Sequence, residues 1–406
     1  MRNFNSRGSG GRTLKVVATV ALIAALLVGY KVWQSMQPPE ASGPVVTIAQ
    51  TAGTTDEVDV VWPVEVTELL TSTAQDNGTL LWVKAQGVAT ETVTIDLTPR
   101  TGNGDEVKPV ESRATRIAEI LNDFLVEMNG FDATGQRSTL AALQGVPPGT
   151  GPVLVAGSGL DTIDPLRFEV LGFDASIDEV VAGLEANNEL PKGLAGREVW
   201  LVFPPTSGAQ TPLRAPDKEY RDLLHRSIVE AAGGNVTHIL ESGAAPAGTG
   251  GSAPTVPVPP PPGTFTPEPE TVPPSTDPGN PDTPPAVVQR CVLPSGVLFH
   301  GDNDVLLDES AAKSMVTTCL GDGEIDQVEL IGHTAKIRED SAPDNPRAME
   351  LSQQRADRIA RLIIDGFSID PTRVTARGVG ATQPLTQPDN DPGNRSVEVI
   401  VTYASA

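Results

Sequence analysis

Among residues whose type and spacing could do chemistry, Arg355 stands out. It lies where Met349, Ser352, Ala356, Ile359, Ala360 and Ile363 recur at helical spacing, and its planar guanidinium suits bidentate binding of a carboxylate. Upstream, Gly332-His333-Thr334 closes an alternating stretch, and Asp340, Asp344 and Asn345 fall in the polar loop between. The plainer role for Arg355 is an ion pair with a neighbouring carboxylate. Catalytic patterns do not occur. Gly157-Ser158-Gly159 lacks the Gly-x-Ser-x-Gly spacing of a nucleophile elbow, and there is no Walker loop or dinucleotide fingerprint. His225, His238, His300 and His333 are scattered and no Cys-x-x-Cys pair is present, so no metal and no cofactor is expected and the chain reads as non-catalytic.

The elements that must hold Arg355 are a strand, a loop and a helix. Val328 and Leu330 alternate with Gln327 and Glu329, as in a half-buried strand. Asn345-Pro346 puts a preferred N-cap before a first-turn proline, and Asp365-Gly366 is a stop signal. Around this unit, Val297-Leu298-Phe299 reads as a first strand. Asp308 caps a helix through Cys319 that Gly321 closes, and 374–377 and 397–401 read as the last strands. The order is βαβαββ, an α+β sandwich with its helices on one face.

Four motifs in this region, in order, carry a family resemblance: the Gly-His-Thr strand end, Leu351-Ser352-Gln353-Gln354-Arg355-Ala356, Arg377-Gly378-Val379-Gly380, and Asn394-Arg395-Ser396-Val397-Glu398. Residues from about 291 to 403 resemble the OmpA-like domain. The resemblance implies a non-catalytic peptidoglycan-binding module whose ligand is the diaminopimelate of the wall peptide. That family holds the ligand's ammonium and carboxylate with an Asp directly after the strand-end Thr and an Arg on the helix. Thr334 and Arg355 match the threonine and the arginine. Ala335 occupies the aspartate position, and Ala348 stands where an Asn is usual. Asp340, Asp344 or Asn345, in a loop longer than usual, is then expected to reach into the pocket.

The chain has 406 residues, enough for two or three domains. With 52 acidic against 29 basic residues and a net charge of -23, it repels phosphate backbones, which argues against nucleic acid as a partner. Cys291 and Cys319 both fall in the C-terminal domain. They form either a disulfide, in an oxidising compartment, or two buried thiols. At the N-terminus, Arg2, Arg7, Arg12 and Lys15 precede an apolar run over 16–30 that Lys31 and Trp33 follow. Residues 1–14 read as a cytoplasmic basic tail and 15–34 as an uncleaved single-pass anchor in the cytoplasmic membrane, the bulk of the chain lying outside; a cleaved signal peptide is the rival. The run holds no carboxylate, which sets aside a proton-driven stator of the MotB type.

After an approach segment, 35–78, residues 79–242 alternate strands (79–85, 92–97, 152–157, 198–203, 235–240) with helices, including 177–190 and 217–232. This is the pattern of a doubly wound, mostly parallel α/β domain. Order and loop placement are similar to a von Willebrand factor A-like domain, which holds a divalent cation. Asp96, Thr98 and Asp161 are the residues that could serve, but Arg100 takes the last ligand position. Residues 243–288 are a Pro/Gly/Thr-rich linker, read as a stiff spacer of about 3.1 Å per residue. The C-terminal OmpA-like domain spans 289–406. Together these segments describe a cell-envelope protein that tethers membrane to wall, with the middle domain open to an envelope protein partner. The alternative is an envelope scaffold whose OmpA-like domain has lost wall binding and serves protein–protein interaction.

Overall fold

The computed structural model describes residues 43–55, 57–131, 135–243, 252–272 and 287–404. The expected anchor, 15–34, lies outside them. No helix among the described residues is long and apolar enough to cross a membrane.

The first unit begins earlier than its sequence suggests. Its elements are β1 (Val45–Thr51), α1 (Val64–Gln75), β2 (Thr79–Gln86), β3 (Ala89–Asp96), α2 (Val110–Asn129), α3 (Thr139–Gln144), β4 (Val153–Ala156), α4 (Phe168–Leu171), α5 (Ile177–Ala186), β5 (Glu198–Phe203), α6 (Ala215–Ala231) and β6 (Asn235–Glu241). The sheet order is β3-β2-β1-β4-β5-β6. Only the β2–β3 pairing is antiparallel. The stretch read as an approach segment therefore supplies the central strand. Two polar residues disguise it, and both are satisfied by distant partners: Thr47 accepts from Arg197 at 2.7 Å, and Gln50 bridges Trp82 Nε1 at 2.8 Å and the Met128 carbonyl at 2.9 Å.

Helices cover both faces of this sheet. Val46, Ile48, Leu80, Trp82, Leu154 and Val202 pack under α1 and α2, while Ala49, Val83, Val155, Leu201 and Phe203 pack under α3 and α6. The alternation along each strand divides its side chains between the two layers. A third apolar cluster joins α4, α5 and the outer side of α6, and it takes in Val256 and Ile337 from far along the chain.

The second unit contains β7 (Glu270–Val272), β8 (Val288–Pro294), α7 (Ser295–Leu298), α8 (Glu309–Leu320), β9 (Ile325–His333), α9 (Pro346–Phe367), β10 (Val374–Gly378) and β11 (Ser396–Tyr403). Sheet order is β10-β9-β11-β8-β7. The expected strand at 297–299 is instead a helical turn followed by Phe299. The true first strand of the βαβαββ core is β8, and after Pro294 the chain coils so that Val297, Leu298 and Phe299 all bury. Cys291 and Cys319 form a disulfide, Cα atoms 5.5 Å apart, inside the core between β8 and α8. Asp308 and Asn345 cap α8 and α9 through their side chains.

The Pro-rich segment does not hold the units apart over its described part. Gln210 accepts from the Val256 amide at 2.7 Å and donates to its carbonyl at 3.0 Å. Arg214 donates to the Pro260 carbonyl, and β7 pairs with β8. A polyproline strand leaves its carbonyls free, so side-chain donors can fasten it. Residues Pro44–Ala406 accordingly form one compact unit.

Candidate ligand site of the C-terminal domain

The site is built where α9 crosses the end of β9. The closest approach is at Gly332, where a Cβ would stand 1.9 Å from the Ser352 carbonyl oxygen; only glycine fits there. Ser352 Oγ accepts from the Gly380 amide at 3.0 Å and donates to the Met349 carbonyl. Gln353 Oε1 accepts from the Gly378 amide at 2.7 Å. The Leu-Ser-Gln part of the helix motif thus pins the end of β10 to α9. Asn394 fastens the 386–389 loop, accepting from the Thr386 amide at 2.8 Å and donating to the carbonyls of Thr386 and Pro388.

One turn further along α9, Arg355 is 0 % exposed. Its Nε donates to the Asn303 carbonyl at 3.2 Å, and one Nη donates to the carbonyls of Gly301 at 2.8 Å and Asp174 at 3.1 Å. The guanidinium lies 5.4 Å from the Phe299 ring centre. Burial pulls its pKa below the ordinary value, Asp174 and Asp302 opposing the effect and Arg395 adding to it. Arg395, carried by the last motif, is also buried. Its Nε donates to Asp174 Oδ1 at 2.6 Å and its Nη2 to the Val170 carbonyl at 2.8 Å. The other Nη of each arginine and Thr334 Oγ1 have no hydrogen-bond partner.

The expected residues divide sharply. Thr334 is buried at the end of β9, its amide donating to the Gly380 carbonyl at 2.9 Å. Asn345 is the α9 cap, accepting from the Arg347 amide at 3.0 Å, and ten residues of helix put it about 15 Å from Arg355 along the axis. Asp340 is exposed and pairs with Arg338 at 3.3 Å, and Asp344 is exposed. None of these three is a partner of Arg355. The loop instead turns outward onto the first unit: Ile337 buries in the α4–α6 cluster, Arg338 pairs with Glu189 at 2.6 Å, and Arg347 pairs with Asp178. The acidic partner that sequence reasoning missed is Asp174, just ahead of α5. Asp302 Oδ2 accepts from the Ile177 amide at 3.2 Å on the same seam.

Asp96, Thr98 and Asp161 are not brought together. Asp96 pairs in register with Thr79, at the amino end of β2, because β3 runs antiparallel; Asp161 follows the carboxyl end of β4. Two intervening strands add about 14 Å across the sheet. Asp96 accepts from the Thr98 amide and Arg100, and Asp161 accepts from Ser138 and the amides of Thr139 and Leu140. Among the described residues, no three His, Cys, Asp or Glu side chains are placed to hold a metal ion.

Residues 302–397 match the OmpA family and form an OmpA family domain. No curated protein matches the chain. Solved structures similar to it include the cell wall anchor of the T6SS from Pseudomonas aeruginosa, 25 % identical over 29 % of this chain and 82 % of that one, with a TM-score of 0.25. The periplasmic domain of Helicobacter pylori MotB is 18 % identical over 30 % and 83 %, TM-score 0.24. The OmpA-like domain of FopA1 from Francisella tularensis is 20 % identical over 34 % and 95 %, TM-score 0.24.

Proposed function

We propose that this is a non-catalytic cell-envelope protein that holds peptidoglycan non-covalently through its OmpA family domain. The observation that carries the reading is the pair of buried guanidiniums, Arg355 and Arg395, at one end of that domain's sheet, each with a donor left over. Such a pair fits the carboxylate of a wall peptide. The disulfide supports an extracytoplasmic place for the domain. The 15–34 segment is proposed as the anchor in the cytoplasmic membrane, making the chain a tether. For the first unit, the alternating strands and helices support a von Willebrand factor A-like reading in which its loops serve an envelope protein partner. Co-sedimentation with purified diaminopimelate-containing peptidoglycan tests the wall reading: the chain should pellet with it, and Arg355→Ala should not.

One observation favours the second reading, a scaffold that no longer binds wall. Ala335 replaces the expected aspartate, and Arg355 is already engaged by three carbonyls, one from the first unit. In that case neither the chain nor Arg355→Ala pellets with peptidoglycan.

A further inference from the structure

We propose that the Gly172–Ser176 loop of the first unit is an internal occupant of the OmpA family domain's carboxylate site, so that the chain alternates between a closed form and an open form that admits an acidic wall peptide. This rests on the wall-binding reading above and adds to it the control of the same site.

At Arg395 the contact is one that a ligand carboxylate would make. Asp174 gives its side chain to Arg395 and its carbonyl to Arg355, two residues carried by separate motifs of the domain. The first unit helps to cover both arginines: Asp174 touches each of them and the Val170 carbonyl accepts from Arg395. The fit is incomplete, however: one Nη on each guanidinium is buried without a partner. A buried unsatisfied donor forfeits the hydrogen bond it would make in water, so Asp174 is a weaker occupant than a ligand that could satisfy both forks.

The Ile177 amide donating to Asp302, Arg214 donating to the Gly296 carbonyl and the fastened Pro-rich segment hold the lid from within, and the contacts at its rim are weaker. Arg338–Glu189 and Arg347–Asp178 are partly exposed ion pairs, each worth little in water. Ile337 adds one buried apolar side chain to the first unit's cluster. Beside Arg395 a cleft of about 320 Å³, walled by Phe168, Phe173, Pro259, Phe265 and Val297, gives a path by which a peptide could reach that guanidinium. A site whose competent form is a minor population has its apparent affinity lowered by that fraction, so the closed form sets how tightly the wall is held.

The test uses the full chain in three forms: unmodified, Asp174→Ala, and the rim double variant Asp178→Arg with Glu189→Arg. The double variant repels Arg347 and Arg338 without touching the buried site, so it reports even if Asp174→Ala folds poorly. Amide hydrogen exchange, measured without any wall present, should speed up at 172–176 and 301–303 in both variants, while β9 and β11 stay protected. Co-sedimentation with purified peptidoglycan should then show about tenfold tighter binding by both variants. If exchange and binding are the same in all three forms while the unmodified chain pellets, the internal occupant is overturned and the wall reading stands. If the variants open by exchange and no form pellets, the wall reading falls, and the proposed control falls with it.

Discussion

Asp174 and Arg395 lie 221 residues apart in sequence and are joined by a 2.6 Å hydrogen bond from Nε to Oδ1, both side chains buried. A buried pair broken on one side leaves an uncompensated charge, but here the charge has an escape, because the seam between the two units can part and hydrate Arg395. Glu57 and Arg137 form the contrasting case. They pair at 3.2 Å inside the first unit, side chains 5 % and 1 % exposed. Glu57→Ala is expected to lose about 3 to 5 kcal/mol of unfolding free energy, and Asp174→Ala clearly less. Urea denaturation of the two variants decides it; equal losses would mean that the seam does not open.

Glu179 makes the same seam sensitive to pH. It lies in the first turn of α5 and is buried; burial pushes its carboxyl up to about 7, against the pull of the Arg395 charge. The folded pKa is thus above the ordinary value of 4.5, so the folded chain keeps a proton that the unfolded chain has released. Its contribution to stability is complete below about 4.5 and is lost as pH rises through about 7. The unmodified chain should therefore lose on the order of 3 kcal/mol at most between pH 4.5 and 8. Glu179→Gln should flatten that part of the profile, as urea midpoints taken across the range will show.

The Cys291–Cys319 bridge closes a loop of 28 residues between β8 and α8. In the chain-entropy account such a loop is worth about 3 to 4 kcal/mol. Both sulfurs sit in the core, so reduction leaves two buried thiols and little loss of packing. Reduction of the unmodified chain and the double variant Cys291→Ala with Cys319→Ala should lower the unfolding free energy by similar amounts. A far larger loss in the double variant would indicate packing rather than loop closure.

How much of this was legible depended on how local the determining interactions are. The caps at Asp308 and Asn345, the strand at Glu198–Phe203 and the amphipathic α9 are set within a few residues and could be read directly. β1 was hidden because Thr47 and Gln50 break its apolar run, and their partners, Arg197, Trp82 and Met128, are distant in sequence. Arg355 was visible through its motif. Asp174 was not: as an acidic residue ahead of a helix it looks like ordinary N-terminal charge, and nothing near it signals a partner in the other unit. Nearness to α9 in sequence points the loop carboxylates Asp340 and Asp344 toward the pocket, but Ile337 turns that loop outward onto the first unit. The Pro-rich segment read as a spacer because composition reports backbone stiffness, not the side chains that fasten it.

Ala335 separates the two functional readings. It is 2 % exposed in the closed arrangement, so a carboxylate placed there without a partner costs on the order of several kcal/mol. An ammonium group arriving on a wall peptide can relieve that. Ala335→Asp should therefore increase co-sedimentation with diaminopimelate-containing peptidoglycan by about tenfold, a gain of about 1.4 kcal/mol. The added binding should disappear when Arg355→Ala is combined with it, because the ammonium and carboxylate of one ligand then find only one partner. A folded Ala335→Asp chain that gains no binding would favour the scaffold, since restoring the missing carboxylate would not have restored a site.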